Sequence, residues 1–166
     1  MSIKIISGDI LTNLPANKEV YICQQVNCRG VMGAGLALKI RRKWPVVYQQ
    51  YMEIPAWKEF LGSYQKVRVE PNIHVVNLFG QNNYGLGERQ TNYAAFATAL
   101  FTFMRDCSKI APEATIRIPS SIGCGLAGGD WDTVFSLIAE AAEAWNANVL
   151  SFQGRALRRY QSSFQA

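Results

Sequence analysis

The spacing of apolar and polar positions divides the chain into short strands and amphipathic helices. Ile3–Ser7 alternates and predicts a first strand, which ends at Gly8-Asp9-Ile10. Pro15-Ala16-Asn17 is a turn. Val20–Val26 predicts a second strand, nearly continuous in apolar residues at its start, as strands covered on both faces are. Leu36–Trp44 predicts a helix broken at Pro45, and Val46–Met52 a second helical piece. Ile54–Ser63, with Pro55, Trp57 and Gly62, reads as irregular. Tyr64–Val69 alternates like an outer or edge strand, and Ile73–Phe79 is another strand. A polar loop, Gly80–Arg89, leads to Thr91, a candidate cap for a helix in which Tyr93, Phe96, Ala97, Leu100, Met104 and Cys107 recur at helical spacing. Thr115–Ile118 is a short strand ending at Pro119. Asp130 then caps an amphipathic helix carrying Val134, Leu137, Ile138, Ala141 and Trp145. Val149–Phe152 is the last strand, and Ala156–Ser163 a short terminal helix. Strands alternating with helices predict an α/β domain, its sheet largely parallel between helical layers. Tyr64–Val69 and Ile73–Phe79 follow one another with no helix between them, so one antiparallel pair makes the sheet mixed.

Composition narrows the class. The 166 residues, 49% of them apolar, suffice for one domain with a full core and argue against disorder. No run is long enough to span a membrane, and MSIKIISGDI has no basic leader segment, so the expected location is the cytoplasm and no membrane partner is expected. The four cysteines (Cys23, Cys28, Cys107, Cys124) form no CxxC pair, and neither a metal nor a cofactor is expected. Cys23 and Cys107 fall in apolar patterns; Cys28 and Cys124 lie in glycine-rich loops, where packing is favoured over a reactive thiol. The net charge of +5 suits nucleic acid or a small polyanion equally. Lys39, Arg41, Arg42 and Lys43 cluster on the first helix and Arg155, Arg158 and Arg159 near the C-terminus, both read as solvated faces. Neither cluster is interleaved with aromatics, as single-strand binding requires.

Two glycine-rich stretches carry the candidate chemistry. Val26–Ala37 (VNCRGVMGAGLA) runs from a strand into a helix, and Ser120–Gly129 (SSIGCGLAGG) does the same later in the chain. Such a turn presents several backbone N–H groups at one point and cradles an anion, most often phosphate. Two of them, opening into two helix N-termini at the carboxyl ends of strands, suit a ligand with two linked phosphates. A dinucleotide fingerprint is incomplete, because Leu38 occupies the third glycine position, and no GK[ST] follows either run.

At these residues the chain resembles a macro domain, the ADP-ribose-binding α/β module, over nearly its whole length. The resemblance rests on Gly8-Asp9-Ile10, on VNCRGVMGAGLA, on IPSSIGCGLAGGDW (Ile118–Trp131) and on Phe152 after the last strand. It implies a single domain over residues 1–166 with the three-layer α/β/α macro-domain fold and a mixed, mostly parallel central sheet. The pattern N-x-x-G-x-M-G-x-G-[IL]-A is similar to the branch that holds terminal ADP-ribose protein glycohydrolase, DNA ADP-ribose-removing antitoxins and yeast-type ADP-ribose 1''-phosphate phosphatases. The implied ligand is ADP-ribose or a derivative, with ADP-ribosylated protein or nucleic acid as a further partner. By the resemblance, Asp9 would accept from the adenine amino group, with Ile10 beside it. Asn27 would bond the distal ribose. Gly33, Ala34, Gly35 and Leu36 would line that ribose and one phosphate. Ser120, Ser121, Ile122, Gly123, Cys124, Gly125 and Leu126 would wrap the diphosphate with backbone N–H groups. Phe152 would lie against the adenine, core packing being the equal alternative, and bracing of its own loop the alternative for Asn27.

Catalysis is less legible. The branch is similar to enzymes with a lysine nucleophile and an aspartate just after the GCGL loop. Ala127 stands at the aspartate position, and Gly80 and Gln81 stand where the lysine is expected; the acid of another hydrolase type is replaced by Ala37. Asn27, Gln81, Asn82, Asn83, Glu88 and Asp130 remain nearby. Asn27 and Gln81 are the candidate catalytic residues, with Asn27 orienting a water and the ligand's own phosphate as base. Glu88 reads as a surface charge, Asp130 as a helix cap and His74 as packed or paired. Hydrolysis of ADP-ribose 1''-phosphate or of an ADP-ribosylated macromolecule is expected; the alternatives are a non-catalytic ADP-ribose reader and a nucleic-acid-binding domain using Lys39–Lys43.

Overall fold

Six strands form one sheet, because each short apolar run has a neighbour of matching register on which to place its backbone bonds. The computed structural model describes residues 2–55 and 57–154. The elements are β1 (Ser2–Ser7), β2 (Val20–Gln25), α1 (Gly35–Lys43), α2 (Pro45–Met52), a single 3-10 turn (Trp57–Phe60), β3 (Tyr64–Glu70), β4 (Ile73–Leu78), α3 (Tyr93–Ile110), β5 (Thr115–Pro119), α4 (Trp131–Trp145) and β6 (Asn148–Gln153). The spatial order is β1-β6-β5-β2-β4-β3. Every neighbouring pair is parallel except β3 with β4, so the expected mixed sheet is present, with β3 at one edge. The predicted terminal helix Ala156–Ser163 and the Arg155, Arg158 and Arg159 cluster lie outside the described residues.

Side chains alternate between two faces along each central strand, and this builds two cores. Tyr21, Cys23, Val76, Leu78, Ile116 and Ile118 face α3 and α4, whose Phe96, Leu100, Phe103, Val134 and Ile138 complete that cluster. Val20, Ile22, Ile73 and Val75 face the other way, onto Ile40 of α1 and Val47 and Tyr51 of α2. Cys23 and Cys107 are buried in the first core as expected. His74 stacks on Tyr21, with ring centroids 4.6 Å apart, and its Nε2 lies 2.8 Å from Glu19 Oε2, so it is both packed and paired. Among the described residues, no helix is long and apolar enough to cross a membrane.

One local expectation is corrected. The cap of α3 is Asn92, whose side chain accepts from the Ala95 N–H at 3.0 Å. Thr91 is buried, and its hydroxyl donates instead to the Gly123 carbonyl at 2.6 Å. A threonine beside an asparagine has equal capping chemistry; here a tertiary acceptor decides between them.

Candidate functional site

Parallel pairing brings the carboxyl ends of β1, β2, β4, β5 and β6 to one edge, and the loops that leave them are sewn together. The Gly8 N–H donates to the Gln153 carbonyl at 3.0 Å and the Ser120 N–H to the Phe152 carbonyl at 2.8 Å. The Cys28 N–H donates to the Asn82 carbonyl at 3.0 Å, and the Gln90 and Thr91 N–H groups converge on the Ala127 carbonyl at 2.7 and 3.1 Å. Side chains add a second seam. Gln25, at the end of β2, donates through Nε2 to Gln81 Oε1 (2.7 Å) and Thr91 Oγ1 (2.9 Å). This amide fills the space beside Gly80, where a Cβ would overlap Gln25 Oε1. A side chain at position 80 would require this amide to move from its bonds to Gln81 and Thr91.

Two cavities open on this edge, one on each side of the start of α1. The first, about 810 Å³, is lined by Asp9, Ile10, Gly35, Leu36, Lys39, Ser120 and Phe152. The second, about 460 Å³, is lined by Gln25, Asn27, Val31, Gly33, Ala34, Ala37, Gln81, Tyr84, Leu86, Leu126 and Ala127, among others. Between them stands the N-terminus of α1. Its N-cap residue is Ala34, with no side-chain hydrogen bond and no acidic residue in the first turn, while Arg41, Arg42 and Lys43 complement its far end. By contrast, Asp130 accepts from Thr133 N (3.0 Å) and Thr133 Oγ1 (2.8 Å) at the start of α4, and these bonds hold its carboxyl below the usual carboxylate range. Asp130 thus caps the second helix start, as its position predicts, and of the two helix N-termini at this edge that of α1 is the one without a capping side chain.

The second glycine-rich loop is also partly committed to itself. The N–H groups of Ser120, Ile122 and Cys124 donate to the carbonyls of Phe152, Pro119 and Ser121. Those of Ser121, Gly123, Gly125 and Leu126 donate to no backbone carbonyl. Ser120 lines the first cavity and Leu126 the second; Ser121, Ile122, Gly123, Cys124 and Gly125 run between without lining either. Burial pushes the Cys124 thiol up to about 11, so it is protonated at neutral pH, and the buried Cys28 thiol is pushed up for the same reason.

Asn27 is held on several sides. Its Oδ1 accepts from the Arg29 N–H (3.0 Å) and Val31 N–H (3.3 Å), and its Nδ2 donates to the Val31 carbonyl at 2.9 Å. The Tyr51 hydroxyl accepts from the Gly30 N–H at 3.1 Å and shares its own hydrogen between the Asn27 carbonyl (2.5 Å) and Oδ1 (2.8 Å). Gly30 sits at φ +76°, and a Cβ there would overlap the Trp57 ring. Asn27 therefore braces its loop and still lines the second cavity, with one Nδ2 hydrogen uncommitted. Gln81 is similarly engaged, accepting from Gln25 and donating to the Asn83 carbonyl at 2.7 Å. Asn82 and Asn83 are exposed; Glu88 is exposed and lines neither cavity.

On the other side, Asp9 is exposed, and one carboxylate oxygen accepts from the Leu11 N–H at 2.9 Å in a local turn. Phe152 is both core and cavity wall: it is 9% exposed, packs in the second core and lines the first cavity. The sequence reading missed what holds this end. Arg117 is buried, its guanidinium donates to the carbonyls of Ile10 (3.0 Å), Thr12 (2.8 Å) and Asn13 (2.9 Å), and its centre lies 4.7 Å from the Phe152 ring centroid. One side chain thus fixes both the segment after Asp9 and the aromatic wall. The signal was an arginine inside an otherwise apolar strand, TIRIP.

A protein of unknown function from Bacteroides thetaiotaomicron superposes on this fold with a TM-score of 0.79 at 28% identity, covering 92% of this chain and 98% of that one. A macrodomain protein from Streptomyces coelicolor superposes with a TM-score of 0.73, also at 28% identity, over 91% of this chain and 98% of its own. The chain has the macro-domain fold. No family profile matches its sequence. An ADP-ribose 1''-phosphate phosphatase of Candida albicans is 26% identical over 145 residues, 83% of this chain and 92% of that protein. The positions read as lacking an acid or nucleophile are Ala37, Ala127 and Gln81, all on the wall of the second cavity, and Gly80 beside Gln25.

Proposed function

We propose that this protein, acting in the cytoplasm, binds ADP-ribose across the two cavities and hydrolyses an ADP-ribose derivative at the distal ribose. The observation that carries the reading is the uncapped N-terminus of α1, with Asp9 and Phe152 in the cavity on one side and Asn27 in the cavity on the other. Asp9 accepts from the adenine amino group, and Ile10 and Phe152 flank the ring. The diphosphate lies between Gly33–Leu36 and the N–H groups of Ser121–Leu126, as an anion favours a helix N-terminus. Asn27 meets the distal ribose through its uncommitted Nδ2 hydrogen and orients a water. For the 1''-phosphate, the water oxygen bonds to phosphorus as a phosphate oxygen takes its proton, the bond from phosphorus to the 1''-oxygen breaks, and that oxygen leaves with the electron pair and takes up the proton. Gln81 touches neither proton in this scheme; it holds the wall by its bonds to Gln25 and Asn83. The name of the Candida albicans relative supports a phosphoryl substrate, and ADP-ribosylated protein or nucleic acid offers a second leaving-group class.

A non-catalytic reader is the second reading, favoured by a specific observation: no Asp, Glu, Lys, Arg or His is among the residues that line the second cavity. Incubation at high protein concentration with ADP-ribose 1''-phosphate, ADP-ribosylated protein and ADP-ribosylated DNA separates the two. Release of phosphate or ADP-ribose from any of them supports hydrolysis; tight binding with no release from all three leaves the reader.

A further inference from the structure

Of the basic residues read as a solvated face of α1, Lys39 stands apart. Arg41 lies over the Tyr48 ring at 3.6 Å and Lys43 over the Trp44 ring at 5.2 Å. Lys39 is exposed and lines the first cavity, and among the described residues it has no ion pair, hydrogen bond or ring contact. It follows Gly35 at helical i, i+4 spacing, so the two share one stripe of α1, with Lys39 about 6 Å further along the axis. Among the described residues, Asp9 is the one carboxylate that lines this cavity, and it accepts from the Leu11 N–H in its own turn. Behind the aromatic wall, Arg117 is bonded to three carbonyls and to no carboxylate, so its charge adds to that of Lys39. The cavity therefore meets more positive than negative charge. At about 810 Å³ it has the size of a pocket for a whole small ligand, with space beside a nucleoside.

We infer that the first cavity takes an adenosine whose ribose carries a phosphate of its own, on the 2'- or the 3'-hydroxyl, and that Lys39 meets this phosphate. The preferred ligand is then an ADP-ribose phosphorylated at its adenosine end. This rests on the placement of ADP-ribose proposed above, in which the diphosphate takes the helix start and the adenine takes Asp9 and Phe152. The part of the ligand that runs along the wall between them is the adenosine ribose, which is uncharged. A cation one helical turn past the diphosphate has no charge to answer in ADP-ribose itself. A phosphomonoester there is close to dianionic at neutral pH and accepts from the Lys39 ammonium in a charge-assisted bond. Asp9 selects the base and Lys39 the phosphate, so the two opposite charges of the cavity have separate tasks.

The test is calorimetric, at low and at physiological salt, with three ligands on the same protein: ADP-ribose and its two derivatives phosphorylated at the adenosine 2'- or 3'-hydroxyl. One of the two derivatives is expected to bind about 5-fold tighter than ADP-ribose at low salt, and which one does so assigns the hydroxyl. Because Lys39 is exposed, that ratio is expected to fall as salt is raised. Lys39→Gln is expected to bring the ratio to about one with the urea midpoint held, and Lys39→Arg to keep the preference. Two derivatives that bind no tighter than ADP-ribose, or a preference that survives Lys39→Gln, overturn the inference while ADP-ribose binding itself stands. A Lys39→Gln loss equal for all three ligands assigns Lys39 to the diphosphate and also overturns it. If none of the three binds, the placement fails and the inference with it.

Discussion

Asn27 and Asp9 show how differently two polar residues are held at the ends of one cleft. Asn27 is buried, and its side chain is engaged by Arg29, Val31 and Tyr51. Its neighbourhood tolerates little change. Tyr51→Phe removes the hydroxyl that joins Gly30 to Asn27 and leaves buried groups without a partner. It is expected to cost about 1–3 kcal/mol in urea unfolding, with ADP-ribose affinity falling in parallel because the loop loses its brace. Asp9 is exposed and engages only a local N–H, so Asp9→Ala is expected to leave stability within about 0.5 kcal/mol. Its effect belongs to recognition: binding of ADP-ribose should weaken at least ~10-fold, and binding of ribose phosphate much less, since only the adenine contact is lost. Equal losses for both would remove Asp9 from the adenine. Local chemistry made Asp9, Asn27 and the Asp130 cap legible in the sequence, because each acts on backbone within a few residues of itself. Gln25 and Arg117 were not legible. Their partners lie 56 to 107 positions away in the chain, and only the assembled sheet brings them within reach.

The N-terminus of α1 is the element that distinguishes this cleft from an ordinary loop surface. A helix start without a capping side chain leaves N–H groups and the positive end of the dipole unanswered. Ala34 occupies the cap position with φ −146° and ψ 161°, a backbone that an aspartate adopts without strain. Ala34→Asp is therefore expected to stabilise the free protein by about 0.5–2 kcal/mol in chemical unfolding. The same carboxylate stands where the diphosphate belongs, so ADP-ribose affinity should fall more than ~10-fold. A stabilised variant with unchanged affinity would move the diphosphate away from α1. Element boundaries followed from the apolar runs, with β2 ending at Gln25, one residue earlier than expected, and α1 starting at Gly35, also one residue earlier. The Asp130 cap of α4 was legible from its position before the helix; that no side chain caps α1 is what the assembled contacts add.

At the scale of the whole molecule, two cores on either side of a mixed sheet hold four protonated thiols. Burial pushes Cys107 and Cys124 up to about 11, and Cys23 and Cys28 upward as well. In the unfolded chain a thiol ionises near ~8.5. Between these values the folded state binds more protons than the unfolded one. Stability is therefore fully present below about pH 8.5 and falls as pH rises toward 11. Urea midpoints measured from pH 7 to 10.5 should decline in that window, and alkylation of Cys124 should stay slow until its upper end. The mostly parallel sheet with one antiparallel pair followed from the alternation of strands and helices; the strand order, which gathers five loops at one edge, is set by long-range pairing. The missing acid and nucleophile were legible at Ala37, Ala127, Gly80 and Gln81; that Ala37, Gln81 and Ala127 share one cavity wall followed only from the assembled loops. The central claim is that ADP-ribose lies across both cavities, and calorimetric titration of the intact protein with ADP-ribose tests it most directly. One site with a micromolar Kd, weakened by both Asp9→Ala and Ala34→Asp, is the predicted result; no measurable heat of binding, or binding that neither substitution changes, would contradict it.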